Sequence, residues 1–390
     1  MIWVGVGGSR GLDAVQVGRE AIHRSLSQLA KKKADFLLVF CSPRLNQQQV
    51  LKEILSLAGD VPLVGASMAQ GFVGLEPQDL IVLSFVSDSF VVKVGVGRGV
   101  HQDARQAGQE AAWSTNRQLT AKGSLFIAFP DGLTGNGSEV LRGLQEVFGT
   151  GFPILGMAAA DPFRFRKSYQ YVSDRVESDA VTGLLFSGKL SFAVSSCQGW
   201  SRLGRVWEVT RSHGNLLQEL DGKPAAMIYK TYFGEQLTQE TQPFATISSL
   251  YPLGVSVASG EEPVIRYPLQ MGPDGSLVCT ADIPQNAEVH LMIGTKESFL
   301  ESTRQAATQL FQTLPSKSPR VLFMFESASR ARLLGRDYPE QLRVVERFCQ
   351  GKVPWVSLHG YGELCPSGGD GHLGPSRYLN ESLTLLALCD

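Results

Sequence analysis

The apolar and polar positions of the chain follow two patterns, which predict short buried strands and amphipathic helices. In the first ninety residues, the continuous apolar run at 36–39 predicts a strand, and the helical spacing of apolar positions in 50–57 predicts an amphipathic helix. A strand entered through proline follows at 61–65, and the apolar run at 80–85 closes the segment. Together with the apolar start of the chain and the helix expected after it, the segment predicts the order β-α-β-α-β-β.

This order of elements occurs three times. A shift of 90 residues aligns 4–7 with 94–97, both Val-Gly-Val-Gly, and 10 of the 18 positions from 4 to 21 are identical in this register. A third copy is expected at the end of the chain, with its first strand at 289–293 and its closing strand at 383–388. The sequence therefore predicts three copies of one structural unit.

Between the second and third copies the pattern changes to strand and hairpin signals, such as the Pro-Asp-Gly turn at 273–275. A helix is expected to start at Pro224. We predict an α/β fold with mixed β-sheets, built from repeated β-α-β-α-β-β units and a strand-rich central region. The predicted domains are residues 1–187, with units 1–88 and 89–187, and residues 188–390, with the strand-rich part 188–287 and the third unit 288–390.

Composition and charge narrow the functional classes. The chain has 41 glycines in 390 residues, which indicates many tight turns, and 43 % hydrophobic residues, enough for a full core. Its 36 basic and 37 acidic residues give a net charge of −1, which argues against nucleic-acid binding. Asp88 and Lys93 interrupt the most hydrophobic region, so no membrane span is expected. The strand-like start without a charged leader predicts a cytoplasmic protein with six reduced, mostly buried cysteines.

The topology predicts where a site would lie. Right-handed crossovers make the second and third strands of each unit parallel, so the loops after them share one edge of the sheet. The loop from Asp131 to Asn136 includes Thr134 and combines a carboxylate with hydrogen-bond donors, although Asp and Asn also cap helices and stabilise turns. Gly156 and Asp161 lie in the next such loop, where glycine is also explained by the need to turn the chain.

In the third unit, Ser327 and Arg330 follow the second strand, and His359-Gly-Tyr361-Gly-Glu363 follows the third. The latter places an imidazole, a phenol and a carboxylate in one loop, where two glycines allow close approach of a ligand. Cys365 and His372 lie nearby, but their spacing matches no common zinc pattern. No dinucleotide fingerprint, phosphate-binding loop or nucleophile elbow occurs, so we predict no metal and no cofactor.

The chain resembles the FIST family, which has an N-terminal and a C-terminal FIST domain. The resemblance rests on motifs spread over nearly the whole chain: Asp131-Gly-Leu-Thr-Gly-Asn136 with Pro153–Ala158 and Asp161, Trp207–Arg211 with Leu220–Ala225, Arg266-Tyr-Pro-Leu269, His359–Glu363, and Leu379–Thr384, which contains Asn380. It implies an intracellular signal-transduction module that senses small ligands such as amino acids. No F-box or output domain fits the chain, and Ser327 stands where similar sequences often have Cys.

Three functions follow as hypotheses. The first is a cytoplasmic, non-catalytic sensor or adaptor that binds a small polar metabolite and acts on a signalling protein partner. In it, Arg330 or Arg266 would bind a carboxylate, and an acidic side chain would bind an amine. The second is a scaffold that docks another protein on its sheet edges, and the third is an enzyme with His359 and Glu363 as acid and base. The predicted ligand-binding residues are Asp131, Thr134, Asn136, Gly156, Asp161, Arg266, Ser327, Arg330, His359, Tyr361, Glu363 and Asn380.

Overall fold

The computed structural model describes residues 1–30, 33–116, 123–234, 244–257, 262–315, 319–368 and 373–390. The first unit consists of β1 (Ile2–Ser9), α1 (Ala14–Ser27), β2 (Phe36–Cys41), α2 (Gln47–Ala58), β3 (Leu63–Ser67), β4 (Gly71–Val73), β5 (Glu76–Gln78) and β6 (Leu80–Ser87). The second unit consists of β7 (Phe90–Arg98), α3 (Ala104–Asn116), β8 (Gly123–Pro130), α4 (Gly137–Phe148), β9 (Ile154–Met157), β10 (Gln170–Val172), β11 (Arg175–Glu177) and β12 (Ala180–Gly188).

The third unit starts with β13 (Ser191–Cys197) and is then interrupted by the central region. The central region consists of β14 (Trp200–His213), β15 (Leu216–Leu220), β16 (Lys223–Pro224), α5 (Met227–Phe233), α6 (Phe244–Leu250), β17 (Leu253–Ser256), β18 (Val264–Arg266), β19 (Pro268–Met271), β20 (Leu277–Cys279) and β21 (Glu288–Gly294). The third unit continues with α7 (Lys296–Thr313), β22 (Val321–Ser327), α8 (Ala328–Leu334), α9 (Tyr338–Cys349), β23 (Trp355–Gly360), β24 (Glu363–Pro366), β25 (Ser376–Leu379) and β26 (Leu383–Cys389).

All three units have the same strand order, β1-β6-β2-β3, β7-β12-β8-β9 and β13-β26-β22-β23. In each, the closing strand runs antiparallel between the first and second strands, and the third strand is parallel to the second. The predicted α/β fold with mixed sheets and the parallel pairing of the second and third strands are confirmed. Each unit also contains a short hairpin before its closing strand, which the sequence pattern did not reveal.

The predicted first strand of the third unit is wrong. Residues 289–293 belong to β21, which pairs with β14 and β17 in the sheet of the central region. The true first strand is β13, which precedes the central region and pairs with β26. An apolar strand pattern does not indicate its partner, and the inserted region separates β13 from the helix that follows it in the unit. The helix expected at Pro224 starts instead at Met227, since Pro224 lies in β16. The division of the chain into domains stays a prediction.

The hairpins are exchanged among the units in a cycle. The hairpin β4–β5 of the first unit pairs with β23 of the third, β10–β11 of the second with β3 of the first, and β24–β25 of the third with β9 of the second. Backbone hydrogen bonds link the segments after the third strands, from Ala160 N to Ser67 O (3.0 Å) and from Ala158 N to Gly362 O (2.7 Å). The loops that the sequence singled out therefore meet at the junction of the three units.

The inner faces of the three sheets share one hydrophobic core, in which Phe36, Phe129 and Phe323 come from different units. Helices cover the outer faces, with a separate apolar cluster for each unit. The central region has its own core around Trp207 and Tyr229. All six cysteines are free thiols, and five of them are buried.

In the part of the chain that the structure describes, we find no helix that combines the length and apolarity needed to cross a bilayer. The predicted cytoplasmic location stays a prediction.

Candidate functional site

A cavity of about 670 Å³ lies between the second unit, the third unit and the central region. Its polar wall comes from the Asp131 loop, the start of α8 and the segment around Asn380, and its apolar wall comes from leucine and aromatic side chains. The cavity is lined by five of the twelve predicted residues, namely Asp131, Thr134, Ser327, Tyr361 and Asn380. The other seven have structural environments that keep them out of its lining.

Asp131 both lines the cavity and closes its own loop. Its Oδ1 accepts hydrogen bonds from the backbone amides of Leu133 (2.8 Å) and Thr134 (3.2 Å), and its Oδ2 accepts one from Asp179 N (2.9 Å). Asn136 has the capping role that the sequence left open, since its Oδ1 accepts from Ser138 N at the start of α4. The structural interpretation therefore holds for both residues, and only Asp131 also lines the cavity.

Asp161 organises the loop that follows it. Burial alone would raise its pKa, but hydrogen bonds from the backbone amides of residues 164–166 and from the Tyr361 hydroxyl (2.7 Å) lower the pKa of this carboxyl below its usual value. The loop presents Phe163 and Phe165 to the cavity. Asp161 thus positions cavity residues without lining the cavity.

The two arginines that were predicted to bind a carboxylate are buried, and their guanidinium groups donate hydrogen bonds to acceptors within the protein. Arg330 donates to Glu326 Oε1 (3.2 Å), Phe299 O (2.8 Å) and other internal acceptors. Arg266 donates through Nε to Asp282 O (3.0 Å) and through Nη1 to Ile265 O and Tyr378 O, and burial lowers its pKa to about 10. Neither guanidinium lines the cavity, so a ligand carboxylate there would not meet them.

Gly156 also has a structural explanation. Its φ is +140°, and a Cβ at this position would lie 1.9 Å from Ala128 O on the neighbouring strand β8. The close pairing of β8 and β9 therefore requires glycine here.

His359 and Glu363 have different hydrogen-bond partners. His359 Nε2 lies 2.6 Å from the oxygen of the Tyr338 hydroxyl, and this hydroxyl donates its proton to Glu326 Oε2 (3.0 Å). Burial lowers the pKa of His359 to about 3. Glu363 Oε2 accepts from the Ser382 hydroxyl (2.6 Å), and burial raises the pKa of this carboxyl well above its usual value. His359 lines a second cavity, of about 580 Å³, where residues of all three units meet.

Two charged residues that the sequence analysis missed do line the main cavity. Arg332 is exposed, with its guanidinium carbon 4.8 Å from the centre of the Phe163 ring, and within the described ranges it forms no ion pair. Helical spacing could have indicated Arg332. It lies two positions after the buried Arg330 in α8, so its side chain faces another side of the helix.

Glu381 is the second residue, with 2 % of its surface exposed and an Oε2 that has no hydrogen-bond partner in the described part of the chain. Burial raises the pKa of Glu381 to about 8, against the opposing effect of the Ser329 hydroxyl. Its φ of +54° is a left-handed conformation that is uncommon for glutamate. Glu381 lies inside the 379–384 motif, next to the predicted Asn380.

The described residues contain no cluster of three or more His, Cys, Asp or Glu side chains that could hold a metal ion. His372 lies outside the described residues. The absence of a metal and of a cofactor stays a prediction.

The fold and its cavity define an α/β protein of three like units with exchanged hairpins and an inserted fourth sheet. The FIST N domain matches residues 35–223 and the FIST C domain matches residues 225–366. The chain therefore belongs to the FIST family, as its motifs predicted. FIST domains are associated with sensing and signal transduction.

One curated relative is the uncharacterized protein MJ1623 of Methanocaldococcus jannaschii, 24 % identical over 244 residues. The match covers 59 % of this chain and 45 % of the relative, so the chain matches less than half the length of that protein. Among solved structures, the cyanuric acid hydrolase of A. caulinodans has a TM-score of 0.40 at 7 % identity, covering 100 % of this chain and 99 % of that one. A chorismatase has a TM-score of 0.34 at 9 % identity, covering 100 % and 98 %. Both TM-scores are too low to support any inference about this chain.

Proposed function

We propose that the protein is a non-catalytic sensor that binds a small polar metabolite, such as an amino acid, in the main cavity and acts on a signalling protein partner. The observation that carries this proposal is the lining of the cavity, which combines the guanidinium of Arg332 with the Oε2 atom of Glu381; among the described residues, the first has no ion-pair partner and the second no hydrogen-bond partner. An amino acid offers a carboxylate to the guanidinium and an ammonium that donates to Glu381 Oε2; as a cation, the bound ammonium would also lower the pKa of Glu381 and favour its ionised form.

The size of the cavity fits a ligand of this kind. At about 670 Å³, it falls within the range of about 300–1,000 Å³ typical of small-molecule sites. Its lining joins polar groups to apolar side chains such as Leu133, Leu269 and Leu333, which suits a ligand with a charged end and an apolar end. A polar cavity favours ligand binding over the scaffold hypothesis, for which a shallow apolar patch is expected.

A non-catalytic role is supported by the contacts of the candidate acid and base. His359 hydrogen-bonds to Tyr338 and Glu363 to Ser382, so the two do not form a pair that could share a proton on a substrate. Both side chains are buried, and neither lines the main cavity.

The test is binding of the twenty proteinogenic amino acids, measured by thermal shift and then by isothermal calorimetry. A ligand present at 100 times its Kd should stabilise the protein by about 2.7 kcal/mol. Arg332→Gln should weaken binding of that ligand by at least tenfold, because a charge-assisted hydrogen bond to the ligand carboxylate is lost.

Arg343→Gln is the matched control, because Arg343 is an exposed arginine whose ion pair with Glu340 lies on α9, outside the cavity lining. It should bind like the wild type. The proposal fails if no amino acid shifts the stability, or if Arg332→Gln binds as tightly as Arg343→Gln.

A further inference from the structure

The loop after Asp161 holds two phenylalanines in backbone conformations that bulky side chains rarely adopt. Phe163 has a φ of +56° and Phe165 a φ of +49°, both left-handed. Such strain persists only where surrounding contacts enforce it. Here Asp161 enforces it, because its carboxylate accepts the amides of Arg164, Phe165 and Arg166 within 2.9–3.0 Å.

The result is an ordered aromatic surface, the aromatic platform, formed by Phe163, Phe165 and Tyr361. The rings of Phe165 and Tyr361 are stacked, with centroids 5.2 Å apart and an interplanar angle of 18°. Phe163 and Phe165 meet edge to face at 6.1 Å. The Tyr361 hydroxyl donates to Asp161 O (2.6 Å), which fixes the platform from the side of the third unit.

The platform is partly uncovered although it lies in the cavity wall. Phe165 has 51 % of its surface exposed, while all three rings line the cavity. The strained backbone holds the ring of Phe165 towards open space, where the ring does not contribute to a hydrophobic core. Core packing therefore does not explain the strained conformation. Arg332 adds a cation at the edge of the platform, over the face of Phe163.

We propose that the aromatic platform is the side-chain subsite of the cavity and selects ligands that carry a flat aromatic ring together with a carboxylate. The ring stacks on Phe165, and the carboxylate binds the guanidinium of Arg332. This inference rests on the proposed function, and it narrows the polar metabolite to aromatic amino acids and related aromatic acids.

The test compares probes that differ in one property, using isothermal calorimetry on the full chain. L-phenylalanine and L-tryptophan should bind at least tenfold more tightly than L-alanine, which has the same charged groups without a ring. L-cyclohexylalanine, which has a ring of similar size that is not flat, should also bind more weakly than L-phenylalanine. L-phenyllactate, which replaces the ammonium by a hydroxyl, should bind more tightly than L-lactate, which has the same carboxylate and hydroxyl without a ring; equal binding of these two acids would contradict the aromatic subsite.

Two variants at Phe165 separate binding from folding. Phe165→Ala should reduce the affinity for L-phenylalanine by about tenfold. Phe165→Asn should reduce it equally while unfolding at the same or a higher temperature, since Asn tolerates the left-handed conformation. The matched control is Trp113→Ala, which removes an exposed aromatic ring (43 % exposed) from α3 outside the cavity lining and should bind normally.

The outcomes are distinguishable. Equal binding of L-alanine and L-phenylalanine, or unchanged affinity in Phe165→Asn, would overturn the aromatic subsite and leave the sensor proposal intact. Binding of none of these probes, together with no response to the other amino acids, would overturn both.

Discussion

Arg330 and Arg332 lie two positions apart in α8, yet burial gives them different roles. The first is fully buried and donates its hydrogen bonds to internal acceptors, whereas the second is exposed at the cavity. Each residue of a helix turns the side chain by about 100°, so positions i and i+2 face different directions. The sequence analysis placed Arg330 in a loop after Ser327, whereas it lies in α8, where its side chain is fully buried.

Glu381 gives a prediction for the pH dependence of stability. Its pKa is about 8 in the folded protein against an ordinary value of 4.5, so the folded state binds this proton more tightly than the unfolded state does. Raising the pH from about 4.5 to about 8 therefore favours unfolding through this group. Glu381→Gln mimics the neutral carboxyl and should be more stable than the wild type, by a margin that grows by up to about 1.4 kcal/mol per pH unit in this window.

Urea unfolding of both proteins between pH 5 and pH 8 measures this margin. Glu340→Gln is the control, because Glu340 is an exposed glutamate with half of its side chain accessible, and its margin should stay constant. A margin for Glu381→Gln that does not change with pH would show that Glu381 is ionised in the folded protein.

At the scale of elements, the close packing of a helix on the sheet explains the glycines of the repeated Val-Gly-Val-Gly strand. A Cβ at Gly7 would lie 1.9 Å from Ala21 O of α1, and a Cβ at Gly97 would lie 1.8 Å from Ala107 O of α3. Glycine in the strand lets the helix backbone approach the sheet directly. This is why the motif is shared by the first two units, in which the helix crosses the first strand in the same way.

Gly97→Ala should therefore destabilise the protein by about 3 kcal/mol, since α3 must move away from β7 or the strand must shift. Gly151→Ala is the control, because nothing lies within 4 Å of a Cβ there. The difference between their urea midpoints checks the prediction. Equal midpoints would mean that α3 adapts without cost.

The sequence predicted the long elements of the fold better than the short ones. The helices have periodic apolar patterns and the buried strands have continuous apolar runs, in elements such as β3 (5 residues) and α7 (18 residues), and the repeat placed them in order. The exchanged hairpins have strands of three or four residues, such as β4 and β10, which are too short to show a period. Their partners lie in other units, so local pattern holds no information about the pairing.

At the scale of the molecule, the exchanged hairpins join the three units into one structure. Phe72 of the hairpin β4–β5 packs on Tyr338 (5.3 Å between ring centroids) and His359 (5.7 Å), both in the third unit. We expect the units to unfold together, since each sheet contains strands of another unit.

Phe72→Ala tests this coupling. The change should cost about 3 kcal/mol and shift a single calorimetric unfolding transition, although the residue belongs to the first unit and its partners to the third. Leu57→Ala, at a half-exposed position of α2, should shift it little. A separate low-temperature transition in Phe72→Ala would show that the units unfold independently.

The cavity could be located from the sequence only in outline. The loops after parallel strands were expected to meet, and Asp131, Ser327 and Tyr361 do line the cavity. From the central region the sequence analysis named Arg266, which does not line the cavity, and it missed Tyr267 and Thr280, which do. Their place depends on how an inserted sheet docks on the units, which no repeat or strand pattern encodes.

The cyclic exchange of hairpins also fixes the number of units that assemble together. The outer edge of each third strand, β3, β9 and β23, is covered by a hairpin from another unit. A unit produced alone would expose this edge and also have a hairpin without a partner, so separate copies would pair head to tail until a ring closed. Placing the three units in one chain makes this closure independent of protein concentration, and it lets each of the three edges carry different side chains.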